Sequence, residues 1–413
     1  MDRQRLDRIV IVGASLAGTR AASHLRRLGH EGTITLLGAE SHLPYDRPPL
    51  SKSMLTDDLP SSEVTFNDEA YYRELDVELR LGAPASSLDV SARNLTVGEG
   101  KESEKLSFDG LIISTGAHAI WLPGTRDVEG VHVLRTIDDT LAVRDALTPG
   151  ARLVVIGAGF IGSEVAAAGA KRGCSVTVVE AAPAPLMRGL GSQMGTLCGA
   201  LHQANGVELR LGVGVESVVA GGGPDPAVEA VQLADGTRLD ADVVVIGVGV
   251  RPATDWLADS GLTIDNGVVC DGTLHTGVDG IYAAGDVVRA PNVKIGPEAV
   301  RVEHWTAATE QGMLAAANLL SPNEATAYDS VPFVWSDQYN SRIQIAGHPG
   351  PDDEVAVLVG TPGEGPFLAG YRRGERLTGV MALDAIRPFV KYRRQLMLDP
   401  TWTGALALAE ELK

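Results

Sequence analysis

Sulfur is scarce in this chain and scattered: three cysteines in 413 residues, Cys174, Cys198 and Cys270, with no C-x-x-C pair. That spacing excludes a disulfide framework and a thiolate metal site, and it suits a reducing cytoplasm. Positive charge is short as well. The 35 Lys and Arg residues face 53 Asp and Glu, a formal net charge of −18, which argues against general nucleic-acid binding, because that needs a basic face able to displace counterions from phosphates. No apolar run approaches the roughly 20 residues of a membrane span. Arg3, Arg5 and Arg8 ahead of "IVIVGASLAG" have the outline of a leader, but Gly13, Gly18 and Arg20 interrupt the run and no convincing cleavage site follows. What is plentiful is glycine, 48 residues, in a chain that is 44% apolar. Length and composition together predict a globular, glycine-punctuated α/β enzyme of two or three domains.

An internal duplication organises the chain. "RIVIVGASLAGTRAASHLRRLG" from residue 8 and "RLVVIGAGFIGSEVAAAGAKRG" from residue 152 share one pattern: a β-branched strand, a glycine-rich turn, and an alanine-rich helix ending at Gly29 or Gly173. A second strand follows each, "TITLLG" and "SVTVVE". Two such βαβ units in full context predict two dinucleotide sites. In "GAGFIG", Gly157 makes the tight turn, Gly159 lets the backbone meet a pyrophosphate at the positive helix N-terminus, and Gly162 lets helix and strand approach closely. Glu180 ends the following strand, where a carboxylate accepts hydrogen bonds from a ribose diol and repels a 2′-phosphate, so this unit is expected to prefer NAD over NADP. In the first unit Ser15 replaces the middle glycine between Gly13 and Gly18. Gly38 stands at the position of Glu180 there, with Glu40 two residues on.

A third signal assigns the two sites. "TGVDGIYAAGDV" (276–287) places Asp286 at a strand end where it can accept a sugar hydroxyl of a flavin's ribityl chain. With "STGA" (114–117) and "IGVGVRP" (246–252) as strand-ending crossovers, the order is an FAD half, an NAD half and an FAD return. The segment "SHLPYDRPPLSK" (41–52) adds a stiff loop: Pro48 and Pro49 fix their own φ angles and restrict the residues before them, which keeps Lys52 aimed.

Through "LPYDRPPLSK" (43–52), "GAGFIGSEVA" (157–166), "AAGDV" (283–287), "RVEHWTAATEQG" (301–312) and "VWSDQY" (334–339), essentially the whole chain resembles the FAD-dependent, NADH-using ferredoxin reductases of bacterial oxygenase systems, within the glutathione-reductase-like flavoproteins. The resemblance implies an α/β fold of two Rossmann-like domains plus a small α+β C-terminal domain: residues 1–115 and 246–327 for FAD, 116–245 for NAD and 328–413 for the third. It implies FAD contacts from Arg47, Lys52, Arg135, Asp286 and Trp305. Around the first turn and its strand it adds Leu16, Ala17, Ala39 and Ala85, with Thr115 and Gly116 from the crossover. Gly285, Glu303 and His304 complete the flavin set. For NAD it implies Phe160, Ile161, Glu164 and Arg188, then Gly247, Val248 and Gly249. These reductases often carry Asp where this chain has Ala39, which leaves Glu40 as the adenosine-ribose partner.

By the same resemblance Lys52 and Glu164 are the catalytic residues, an ion pair beside the flavin, with Glu164 expected in the first turn of the NAD-unit helix; a surface lysine and a dipole-stabilised acid are the alternative. Relatives that reduce disulfides carry redox cysteines just after the first unit. Here that stretch has no sulfur, so electrons that enter as hydride from NADH must leave the flavin directly, which suits a one-electron carrier. The function expected is NADH:ferredoxin oxidoreductase, the acceptor a [2Fe-2S] ferredoxin feeding a terminal oxygenase, the setting cytoplasmic, without nucleic acid, membrane or metal. Rubredoxin reductase is the alternative within the class, and an apoptosis-inducing-factor-like regulatory protein the alternative outside it. Trp305 is expected to cover the flavin ring and Trp335 to lie on an electron path. Residues 371–394 hold seven basic side chains against two acidic ones, a local surplus of +5, so Arg387, Arg393 and Arg394 are expected to help dock an acidic partner.

Overall fold

A computed structural model describes residues 6–412 except 58, 99 and 351; Arg3 and Arg5 therefore lie outside the described residues. The chain opens with β1 (Arg8–Val12), α1 (Leu16–Arg27) and β2 (Thr33–Leu37), followed by β3 (Val77–Arg80) and β4 (Gly110–Ile113). The repeat is β5 (Arg152–Ile156), α2 (Phe160–Lys171) and β6 (Ser175–Glu180), then α3 (Met187–Ala204), β7 (Glu208–Leu211) and β8 (Val243–Ile246). After β9 (Ile281–Ala283) and α4 (Trp305–Leu320) come β10 (Phe333–Gln338), β11 (Ser341–Gly347), β12 (Glu354–Val359), β13 (Phe367–Arg373) and β14 (Arg376–Leu383), closed by α5 (Ile386–Leu398) and α6 (Trp402–Glu411).

The first compact body takes residues up to 46, 64–118 and 251–333. Its sheet has the order β9-β4-β1-β2-β3, parallel throughout. Strands covered on both faces need continuous apolar runs rather than alternation, and "RIVIV" and "TITLL" meet that need: all but the first residue of each is buried. Helix α1 packs beneath α4, and a Cβ on Gly312 of α4 would strike the Ala17 carbonyl, so a glycine is required where the two helices meet.

The second body takes residues 47–63, 119–250 and 334–413. The proline loop therefore groups with the repeat and not with the residues that flank it. Its parallel sheet runs β7-β6-β5-β8, with Val131–His132 at the far edge. The C-terminal sheet, in the order β10-β11-β14-β13-β12, is built on antiparallel pairings. Leu186, Leu190, Met194 and Cys198, on and just before α3, share a core with Ile343, Phe367, Tyr371 and Met381 of that sheet. Fully burying each such side chain contributes about 1.5–3 kcal/mol, which anchors the C-terminal domain on the repeat. Among the described residues no helix is long and apolar enough to cross a membrane.

Candidate functional site

The two glycine turns are built alike. Gly13 and Gly157 take φ of +115° and +100°, the left-handed region closed to other residues at little cost, and their amides bond Leu37 O and Val179 O at 2.8 Å. A Cβ on Gly18 would strike the Gly13 carbonyl, and one on Gly162 the Gly157 carbonyl. Each turn thus leaves bare backbone at the N-terminus of a 12-residue helix, the arrangement that receives a pyrophosphate.

Around the first turn, the Ser114 hydroxyl donates to Val12 O and Gly13 O at 3.0 Å each. Ser15 precedes α1, and Leu16 and Ala17 begin it, both buried. Ala39 and Glu40 follow β2, and the Tyr45 hydroxyl donates to Glu40 Oε2 at 2.5 Å. Ala85 starts the short strand Ala85–Asp89. Thr115 Oγ1 donates to Ala253 O at 2.8 Å, and the Ala253 amide to Gly116 O at 2.9 Å. On the returning segment the Gly285 amide donates to the buried Gln311 Oε1 at 2.9 Å, which fixes the backbone that presents Asp286. Arg301 pairs with Glu303 at 2.5 Å, and His304 precedes the first residue of α4. Trp305 donates its indole N–H to Asp46 Oδ1 at 2.7 Å and packs, partly buried, on the core.

Around the second turn both oxygens of Glu180 accept from backbone amides, Oε2 from Ala158 at 2.7 Å and Oε1 from Ala182 at 2.8 Å. The carboxylate expected to hold ribose also holds the turn. Gly159 stands just before α2. Phe160 packs against the C-terminal core, whereas Ile161 is exposed. The Gly247 amide donates to Ile156 O at 2.7 Å, Val248 packs on the repeat's core, and Gly249 lies beside the Arg188 guanidinium.

The densest polar cluster centres on Glu164. Its side chain is 2% exposed; Oε2 accepts from Lys52 Nζ at 2.8 Å and from the Ser51 hydroxyl, while Oε1 accepts from the Ser336 hydroxyl at 2.6 Å. Burial pushes the carboxyl above its ordinary value, against the opposing pull of Lys52 and then the two hydroxyls. One expectation needs correction here, and one alternative falls away. Glu164 is the fifth residue of α2, past its first turn, which holds no acid. With its charge turned inward onto Lys52, it is an interior ion pair rather than an acid stabilised by the helix dipole. The proline loop supplies the geometry: Pro48–Ser51 forms a single 3₁₀ turn with prolines at its start, and Lys52 follows it directly. Arg47 of the same loop donates to Arg135 O at 2.6 Å, and the Arg135 amide to Asp139 Oδ2 at 3.0 Å.

Sequence reasoning missed Ser51, Ser336 and Gln338. Each adjoins or nearly adjoins a singled-out residue, Lys52 or Trp335, within the quoted segments "LPYDRPPLSK" and "VWSDQY", and that adjacency was the available signal. Trp335 is half-buried on β10. The basic run also needs correction. Arg372 and Arg373 lie on a strand and pair with Glu354 at 2.6 Å and Asp353 at 2.8 Å, acids outside the counted segment, so the surplus there is smaller than +5. What stands out is α5. Arg387, Lys391 and Arg394 are exposed and Arg393 half-buried, alongside exposed Ile386, Val390, Met397 and Leu398.

The family model described as pyridine nucleotide-disulphide oxidoreductase matches residues 7–312, and that of the reductase C-terminal domain matches 333–409. The chain is 37% identical to rhodocoxin reductase of Rhodococcus erythropolis, covering 95% of this chain and 90% of that one. It is 35% identical to the ferredoxin–NAD(+) reductase component of the anthranilate 1,2-dioxygenase system of Burkholderia cepacia, covering 96% and 98%. Among solved structures, the covalent putidaredoxin reductase–putidaredoxin complex superposes with a TM-score of 0.89 at 30% identity, covering 95% of this chain and 93% of that one.

Proposed function

The chain belongs to the pyridine nucleotide-disulphide oxidoreductase family, and from that premise we propose that it is a cytoplasmic NADH:ferredoxin oxidoreductase, taking electrons from NADH through FAD to a [2Fe-2S] ferredoxin that serves an oxygenase. The observation that carries this branch of the family is the state of the thiols. Cys198 and Cys270 are buried and pushed up to about 12 by desolvation, Cys174 is raised for the same reason, and none adjoins the first glycine turn or the proline loop. A protonated thiol is a poor nucleophile, and with no cysteine in the chain before Cys174 the disulphide chemistry of the family name has no thiol in the segment after the first glycine turn.

Both dinucleotides suit the turns. The bare backbone at Gly13–Gly18 and at Gly157–Gly162 fits a pyrophosphate, and Glu180 fits an unphosphorylated ribose. When bound, FAD accepts a hydride from NADH and releases the electrons singly. The division of labour assigns residues 1–115 and 246–327 to FAD, 116–245 to NAD and 328–413 to the acceptor. Asp286 and Trp305 would hold the flavin and Glu40 the adenosine ribose; Arg188 and Gly249 would flank the NAD path; Glu164, paired with Lys52, would orient the arriving nicotinamide. Mixing the purified protein with NADH and a panel of ferredoxins and rubredoxins tests the reading: rapid reduction of a [2Fe-2S] ferredoxin is expected, and turnover of rubredoxins alone would overturn the acceptor.

Docking is assigned to α5 with Trp335. Cations on an exposed helix of a molecule at −18 offset repulsion from an acidic partner and steer its approach. Such steering is screened beyond about 8 Å at physiological salt. Ferredoxin reduction should slow as salt rises, while reduction of a small neutral acceptor should not. Replacing Arg387, Arg393 and Arg394 with Glu should weaken ferredoxin turnover and spare flavin reduction by NADH; unaffected ferredoxin kinetics would move the docking site elsewhere.

A further inference from the structure

We propose that Ser336 and Gln338 of the C-terminal domain are positioning residues that fix the second oxygen of the Glu164 carboxylate through a directed hydrogen-bond chain; the proposal rests on the reading above that Glu164 serves hydride transfer. Along β10 the side chains alternate. Ser336 and Gln338 share the inner face, both 0% exposed, while Asp337 points outward to pair with Arg342 at 2.6 Å. Gln338 Nε2 donates to Ser336 Oγ at 3.2 Å, and Ser336 Oγ donates to Glu164 Oε1 at 2.6 Å.

A hydroxyl has one proton. Because the amide N–H fills a lone pair on Ser336, the serine proton is left for the carboxylate. The reverse amide orientation would draw that proton to Gln338 Oε1 and turn an oxygen lone pair toward an anion. The observed orientation leaves Gln338 Oε1 buried without a hydrogen-bond partner among the described residues. An unmet buried acceptor costs about 1–3 kcal/mol, and an apolar side chain on this strand would avoid that cost. Such local violations are expected where function requires them.

The division of labour on Glu164 says what the chain contributes. Lys52 and Ser51 both act on Oε2. They hold one oxygen of the carboxyl group; among the described residues the Ser336 bond is what holds the other, so that with it the carboxyl plane is fixed at both oxygens.

The experiment uses the FAD-loaded protein, with Ser336→Ala, Ser336→Thr and Gln338→Leu made in the wild type and Ser336→Ala repeated in Glu164→Gln. Three quantities are measured: the rate constant of flavin reduction at saturating NADH, the affinity for NAD(+), and the Glu164 carboxylate stretch in infrared difference spectra against Glu164→Gln. Ser336→Ala is expected to slow reduction about tenfold, as loss of orientation does. NAD(+) affinity should stay within about twofold, and the carboxylate band should shift. Ser336→Thr, which keeps the hydroxyl, restores most of the rate; Gln338→Leu gives a smaller loss of the same kind; in Glu164→Gln the serine change has no further effect. Unchanged reduction in Ser336→Ala, or an equal slowing in Glu164→Gln, overturns the proposal. If Ser336→Ala does not fold, Gln338→Leu is judged by the same criteria. A wild type that takes no hydride from NADH would instead overturn the reading beneath it.

Discussion

The two βαβ units are near copies in backbone and unlike in side chains. In both, a positive-φ glycine opens the turn, a second glycine lets the helix close on it, and the first strand pairs with the second in the same register, Val12 opposite Leu37 and Ile156 opposite Val179. That register puts Gly38 and Glu180 in equivalent places, and likewise Arg20 and Glu164. Arg20 is exposed to solvent, whereas Glu164 is buried against Lys52. Backbone suited to a pyrophosphate recurs in both, save that Ser15 stands in the first turn where Gly159 stands in the second. At these two equivalent places the second unit carries carboxylates, Glu180 and Glu164, and the first does not, its own Glu40 lying two residues past Gly38.

The comparison is broken most severely at the closing glycines. Gly18→Val should yield protein purified without its flavin absorbance, while Gly162→Val should keep FAD and lose NAD(+) binding in titration; a shared phenotype would mean the two turns do not serve separate nucleotides. Next in size is the charge. Lys52→Met strands a buried carboxylate and should cost about 3–5 kcal/mol in denaturant unfolding, whereas Arg20→Ala on the twin helix should stay within about 0.5 kcal/mol. Much of the loss should return in the Lys52→Met, Glu164→Met double variant. Glu164→Ala alone should retain FAD and slow its reduction by NADH.

At the strand ends the contrast concerns specificity. The wild type should favour NADH over NADPH by roughly ten- to a thousandfold in kcat/KM, about 1.4–4 kcal/mol, and Glu180→Ala should narrow that ratio. Equal use of both coenzymes by the wild type would remove Glu180 from its role. The smallest effect is a pH dependence. Because burial raises the Glu164 carboxyl, the folded chain binds that proton more tightly than the unfolded one, so the group's contribution to stability is full below its ordinary value of 4.5 and lost as pH rises through the folded value. The wild type should therefore lose stability relative to Glu164→Gln as pH climbs through that window; a constant difference between the two melting curves would contradict it.

Much of this was legible because it is local. A β-branched run, a glycine that admits no Cβ and an alanine-rich helix each declare themselves within a few residues, which is why both repeats, the Asp286 strand end and the helix beginning at Trp305 fall where the pattern puts them. Lys52 and Glu164 could be paired through resemblance alone. What stayed hidden depends on which distant segments become neighbours. Nothing near Ser336 in sequence points to a carboxylate on α2, and nothing between residues 371 and 394 reveals that Arg372 and Arg373 meet acids from an adjoining strand and loop.

Strand β4 sits between β1 and β9 in the first sheet, and Leu111 pairs with Ile281. A ribosome adding about 5–20 residues per second needs roughly ten to thirty seconds to travel from one partner to the other. Through that interval "GLII", every residue of which is buried in the folded chain, has no partner on one edge, and an open apolar edge is a template for pairing with another chain. The nascent chain, far more than the completed one, is the state in which that edge stands open to another chain.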